Sequence, residues 1–131
     1  MAAAGRERPP IDWDSLTFSF TETDRMFVAN GSWEDGWSEG RMVDFQPLNL
    51  SPAACVLNYG PGLFEGMKAR RTPDGKITLF RPEMNARRAA EGARRLVMPE
   101  VSESMFITAV KKVAEENKRW VPPHGKGELY L

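Results

Sequence analysis

Glu65-Gly66-Met67-Lys68-Ala69-Arg70-Arg71, then Thr72-Pro73-Asp74-Gly75, then Lys76-Ile77-Thr78-Leu79-Phe80: this consecutive stretch decides the fold class. Its central tetrad is a turn signal with a mechanism. Proline fixes one backbone angle, aspartate can hydrogen-bond its own main chain, and glycine supplies a positive φ. The flanks therefore read as the two arms of a β-hairpin. Immediately downstream the pattern becomes helical. Over Pro82–Val97, Ala86, Ala89, Ala90, Ala93, Leu96 and Val97 form one face at helical spacing. A second helix is expected from Ser102 to Trp120, with Phe106, Ala109, Val110 and Val113 on one stripe. Ser102 is its N-cap, and Pro122-Pro123 stops it. Glu128-Leu129-Tyr130-Leu131 then reads as a return strand.

Upstream of the hairpin the elements are shorter. Leu16–Phe20 alternates large apolar with small polar groups, the period of a half-buried strand. Met26–Ala29 predicts a second strand after the polar turn 21–25. Asn30–Gly40, rich in Gly, Ser, Glu, Asp and Trp, reads as a hairpin or long loop. Arg41–Leu50 reads as an edge strand running into a loop, because it carries a proline. Ser51-Pro52 places an N-cap and a first-turn proline before the apolar turn Ala53–Leu57, which breaks at Gly60-Pro61-Gly62. Residues 1–12 have nothing to pack and are expected to be a loose arm; 13–131 form one domain, truncated at its last strand. The sum is α+β: strands, two helices, a return strand.

Composition narrows the function classes. Eighteen basic residues balance eighteen acidic ones, which gives no electrostatic case for nucleic acid or an anionic membrane as the main partner. With Cys55 alone, no intrachain disulfide can form, which fits a reducing compartment. No run of about eighteen apolar residues exists to span a membrane. The opening residues lack a secretory apolar region and read as a cytoplasmic start; plastid or mitochondrion becomes the expectation if the N-terminus is incomplete. His124 has no partner spacing for a metal site or a triad and reads as a loop residue. Cys55, among apolar neighbours, reads as core filler. Gly60-Pro61-Gly62 is followed by no lysine–serine pair and is not a phosphate loop.

Two constellations remain. Arg87-Arg88 and Arg94-Arg95 repeat at seven residues, and a 100° step puts Arg88, Glu91 and Arg95 on one side, opposite the alanine face. This is either a solvated ladder of i,i+3 and i,i+4 pairs, or a ladder from which one arginine departs to clamp a phosphate with its planar fork. Asn58-Tyr59-Gly60-Pro61-Gly62-Leu63-Phe64-Glu65-Gly66 holds two aromatics among three glycines and a proline. It is either a core-filling turn or the wall of a pocket.

At these residues a family becomes visible. Leu57-Asn58-Tyr59-Gly60 with Leu63-Phe64-Glu65-Gly66-Met67-Lys68-Ala69 resembles the branched-chain amino-acid aminotransferases. So do Leu79-Phe80-Arg81-Pro82 with its helix, Trp120-Val121-Pro122-Pro123, and Gly127-Glu128-Leu129-Tyr130-Leu131. The blocks fall in family order from about Ile11 to the last residue and look most like eukaryotic, plant-type members. D-amino-acid aminotransferases and aminodeoxychorismate lyases match the aromatic block poorly.

The resemblance implies the small N-terminal domain of a fold-type-IV enzyme that uses pyridoxal 5'-phosphate: an antiparallel sheet with two helices, in a homodimer, the large domain lying beyond this chain. It implies Arg88 at the cofactor phosphate, and a substrate pocket of Tyr59, Phe64, Gly66 and Tyr130, with Tyr59 serving the neighbouring subunit. Apolar walls suit leucine, isoleucine and valine, which exchange their amino group with 2-oxoglutarate in the family's ping-pong reaction. The lysine that bonds the cofactor as a Schiff base belongs to the large domain; the six lysines here, 68, 76, 111, 112, 118 and 126, occupy none of its motifs. The family arginine after the last Tyr-x pair would fall one residue past Leu131. This chain alone is therefore expected to be inactive. Two rivals stand beside this reading. One is a non-catalytic short form that pairs with full-length subunits; the other is an unrelated α+β binding module with a basic helix.

Overall fold

A computed structural model describes residues 10–131. The elements run β1 (Arg25–Val28), β2 (Gly31–Ser32), β3 (Gly36–Trp37), β4 (Arg41–Asp44), α1 (Cys55–Asn58), β5 (Lys68–Arg71), β6 (Ile77–Leu79), α2 (Pro82–Arg95), α3 (Glu103–Glu116), a 3-10 turn (Lys118–Trp120) and β7 (Leu129–Tyr130). The chain is α+β, but its strands form three small antiparallel sheets rather than one: β1 with β4, β2 with β3, and β6-β5-β7. The expected arm falls largely on residues outside the described ones.

The deciding hairpin forms as its turn chemistry requires. Gly75 takes φ 85° and donates to the Thr72 carbonyl, while the Thr72 amide bonds Lys76. β5 then pairs Ala69 with Leu79 on one side and with Leu129 on the other. This central strand carries the core. Ala69, Ala114 and Val121 are buried together, with Ile77, Leu79, Leu129 and Leu131 packed around them. The predicted return strand is thus the third strand of the main sheet. Paired amide–carbonyl bonds between Met67 and Leu131 extend it to the last residue.

Both long helices lie where periodicity puts them, but α3 ends at Glu116, short of Trp120: Asn117 closes it ahead of the 3-10 turn, so Pro122-Pro123 is not what stops it. Ser102 caps α3 by accepting from the Met105 amide, and Ala86, Ala89 and Ala93 form the buried stripe of α2. Leu96 and Val97 do not complete that stripe. The helix ends at Arg95, Val97 turns to φ 53°, and both side chains are exposed. The stripe of α3 is half-buried, and only Ala114 is fully covered.

Three expectations fail for local reasons. Leu16–Phe20 is not a strand: Thr17 Oγ1 accepts from the Ser19 amide, a short-range bond that competes with a ladder, and Phe18 and Phe20 are exposed. Ser51 does not cap α1; it accepts from the Ala53 amide in a preceding turn, and the helix begins at Cys55. Cys55 is exposed rather than core filler, because this four-residue helix buries no side chain.

Candidate functional site

The corner between β6 and α2 builds the site. Only Phe80 and Arg81 separate Leu79 from Pro82, so the chain passes from strand to helix in two residues. Arg81 makes that corner in the left-handed region, φ 48° and ψ 51°, a conformation uncommon for a non-glycine residue and further disfavoured before proline. Beyond it, Arg81, Met84, Asn85 and Arg88 fall at helical spacing on one side of α2. They face a cleft of about 400 Å³ whose other wall is Gly66, Met67, Lys68 and Arg70 around β5, with Tyr130 of β7.

Arg88 leaves the surface ladder. Its Nε donates to Glu65 Oε1 at 2.9 Å and its Nη2 to Oε2 at 2.8 Å, a two-point fork across 23 residues of sequence. Glu65 is itself fixed from below. The Nδ2 of buried Asn85 donates to Glu65 Oε2 at 2.7 Å and to the Gly66 carbonyl at 3.1 Å. The Arg88 guanidinium first, and Asn85 after it, hold the Glu65 carboxyl below its ordinary range against the opposing effect of burial. The other helix arginines stay in surface pairs: Arg87 with Glu103, Arg94 with Glu100, and Arg95 with Glu91 at i,i+4.

Electrostatics follow from a short census. Four cations line the cleft: Lys68, Arg70, Arg81 and Arg88. Glu128 bridges the first two, and Glu65 holds the last. The cleft therefore keeps a surplus of two positive charges, suited to a dianion.

The aromatic wall is compact on one side. Tyr130 pairs with Lys68 in the sheet register and stacks on Phe64, with ring centroids 6.4 Å apart and planes 20° apart. Gly66 is required by close approach, since a Cβ there would overlap the Tyr130 hydroxyl and meet its Cζ at 3.0 Å. Of the residues singled out from sequence, Gly66, Arg88 and Tyr130 thus line one cleft, and Phe64 joins it through Tyr130. Tyr59 does not join them: it follows α1, 87% exposed, outside the cleft lining. His124 is an exposed loop residue, its Nδ1 3.1 Å from the Arg71 carbonyl.

Sequence reasoning missed Glu65, Asn85 and Arg81. Asn85 had a readable signal. It stands one turn before Ala89, on the edge of the alanine stripe, and a polar group there must find partners. The Glu65–Arg88 pairing depends on how the hairpin folds back on α2, which no local pattern encodes.

No protein-family model matches the chain. Among curated proteins it is similar to a methionine aminotransferase of Arabidopsis thaliana, 49% identical over 92% of this chain and 34% of that protein. It is also similar to a chloroplastic branched-chain amino acid aminotransferase 2 of Humulus lupulus, 50% identical over 95% of this chain and 31% of that protein. A third relative is a mitochondrial branched-chain-amino-acid aminotransferase 1 of Arabidopsis thaliana, 47% identical over 95% of this chain and 33% of that protein. The chain spans about a third of the length of the curated relatives it matches.

Proposed function

We propose that this relative of the plant branched-chain aminotransferases is the N-terminal, small domain of such an enzyme, with the fold-type-IV architecture, and that its cleft receives the phosphate end of pyridoxal 5'-phosphate. The observation that carries the reading is the cleft itself: Arg88 forked onto a nearly buried carboxylate, in a pocket with two positive charges to spare. The donor set fits a phosphate monoester, a dianion that guanidinium groups bind through paired N–H donors. When bound, pyridoxal phosphate supplies a carbonyl that takes up the amino group and a ring that accepts the electron pair left at Cα.

This chain's own residues would then bind and orient. With Nε and Nη2 committed to Glu65, Arg88 offers Nη1 to the phosphate, and the fork keeps the guanidinium plane from swinging. Phe64 and Tyr130 give an apolar and aromatic edge against which the side chain of leucine, isoleucine or valine can lie, with the Tyr130 hydroxyl left for a polar group of the substrate. Burying such a side chain is worth about 1.5–3 kcal/mol. A methionine side chain presents similar apolar area, and one relative is named for that amino acid. Tyr59, outside the cleft, suits a role in a neighbouring subunit's pocket within a homodimer. The compartments in two relatives' names support a plastid or mitochondrial location for the complete protein over a cytosolic one.

The relatives above are named as aminotransferases, which favours catalytic ancestry over a short form that only pairs with full-length subunits. The test is a chimera in which this chain replaces the matching third of the Humulus lupulus enzyme. It should transfer amino groups from leucine, isoleucine and valine to 2-oxoglutarate, with methionine assayed alongside. A folded, cofactor-loaded chimera inactive toward all four amino acids would overturn the reading.

A further inference from the structure

We infer that Arg81 is a second ligand for the phosphate dianion, acting beside Arg88; the inference rests on the proposed function and deepens it. Three observations carry it. First, among the cations lining the cleft, Lys68 and Arg70 are held by Glu128 and Arg88 by Glu65, whereas Arg81 makes no ion pair or side-chain hydrogen bond among the described residues. Arg81 therefore accounts for one of the two surplus charges; the other arises because Lys68 and Arg70 share the single carboxylate of Glu128.

Second, Arg81 and Arg88 stand seven residues apart, nearly in line along α2 and about 10 Å apart along its axis. Two extended arginine side chains can converge across that interval on one anion between them. Third, the residue at this corner is conformationally unfavourable. Arg81 takes φ 48° directly before a proline, where glycine would turn the chain without the steric penalty. A strained non-glycine residue that brings a free guanidinium into a cleft is a candidate for function rather than for stability. The corner would be easier to build with glycine, and the guanidinium would then be lost.

Those properties give the test. Phosphate affinity is measured by calorimetry on the 131-residue chain, with inorganic phosphate as the probe, and with pyridoxal phosphate and pyridoxal as a matched pair. The variants are Arg81→Gly, Arg81→Ala, Arg81→Lys and Arg88→Ala, each checked for native circular dichroism. The expected result is that Arg81→Gly raises the melting temperature while weakening inorganic phosphate and pyridoxal phosphate by about three- to tenfold. That range is the scale of one ordinary net hydrogen bond. Arg81→Ala should weaken both to the same degree, Arg81→Lys should retain most of the affinity, and pyridoxal should respond to none of them. If Arg88→Ala loses phosphate while Arg81→Gly and Arg81→Ala bind as tightly as the native chain, Arg81 is no ligand and the proposed function stands. If Arg88→Ala also binds unchanged, or the native chain takes up no phosphate, both readings fall.

Discussion

Glu65 shows how one carboxylate can set the chemistry of a cationic cleft. Its side chain is 14% exposed, while that of its partner Arg88 is 57% exposed, so the fixed member of the pair is the acid. Arg88 lowers the Glu65 carboxyl below the ordinary glutamate value of about 4.3. The pair's contribution to stability is therefore fully present above that value and lost as pH falls through the lowered folded-state value. Thermal melts across the acid range should show this loss in the native chain. The curve should be flatter in Glu65→Gln, which removes the titrating charge and leaves one carbonyl oxygen to accept. Parallel curves would mean that Glu65 does not titrate in that window. Gly66 makes a second test at this scale. Gly66→Ala should push Tyr130 off Phe64 and cost about 0.5–1.5 kcal/mol, the worth of the lost ring pair, because the half-exposed ring can swing aside. Near-ultraviolet circular dichroism would report the displaced tyrosine; an unchanged spectrum and melting point would show that the two positions are not in close approach.

The elements differ in how far sequence could specify them. The β5–β6 turn and both long helices were legible because each carries its own chemistry: proline, aspartate and glycine in the turn, an alanine stripe in α2, a serine cap on α3. Ser102→Ala should cost about 1 kcal/mol, the usual size of a lost N-cap bond, read from denaturant midpoints. Leu16–Phe20 misled because its alternation does not reveal local competition: Thr17 Oγ1 takes the Ser19 amide, and the segment joins no ladder. Asn117, at the end of α3, was illegible for the opposite reason: apart from the Val113 carbonyl one turn back, its partners lie more than ninety residues away. Its Oδ1 accepts from the Asp24 and Arg25 amides, while its Nδ2 donates to the carbonyls of Arg25 and Val113. With the residue only 1% exposed, Asn117→Ala leaves several backbone groups unpaired and should cost about 2–3 kcal/mol. A loss under about 0.5 kcal/mol in the same denaturation experiment would show that β1 is not tied to α3 through this residue. The candidate site divides the same way. Arg88 was readable from its helix and the family blocks, but its counter-ion and the strained corner beside it arise only when hairpin and helix meet.

At the scale of the molecule, apolar exposure is extensive. Phe18, Phe20, Tyr59, Phe64 and Phe80 are each more than three-quarters exposed, far from the pattern of a chain that packs all its large side chains internally. No described helix is long and apolar enough to cross a membrane. The proposal that a larger domain and a second subunit pack here gives this surface a reason. It also predicts that the 131-residue chain self-associates as its concentration rises, which sedimentation velocity would detect; a monodisperse monomer at high concentration would contradict it.

The most direct measurement is cofactor retention by the chimera with the Humulus lupulus enzyme, compared with the same protein carrying Arg88→Ala. After exhaustive desalting, the native cleft should keep the visible absorbance of pyridoxal phosphate, and Arg88→Ala should lose most of it while remaining folded. Equal retention by the two proteins would contradict the placement of the phosphate at Arg88.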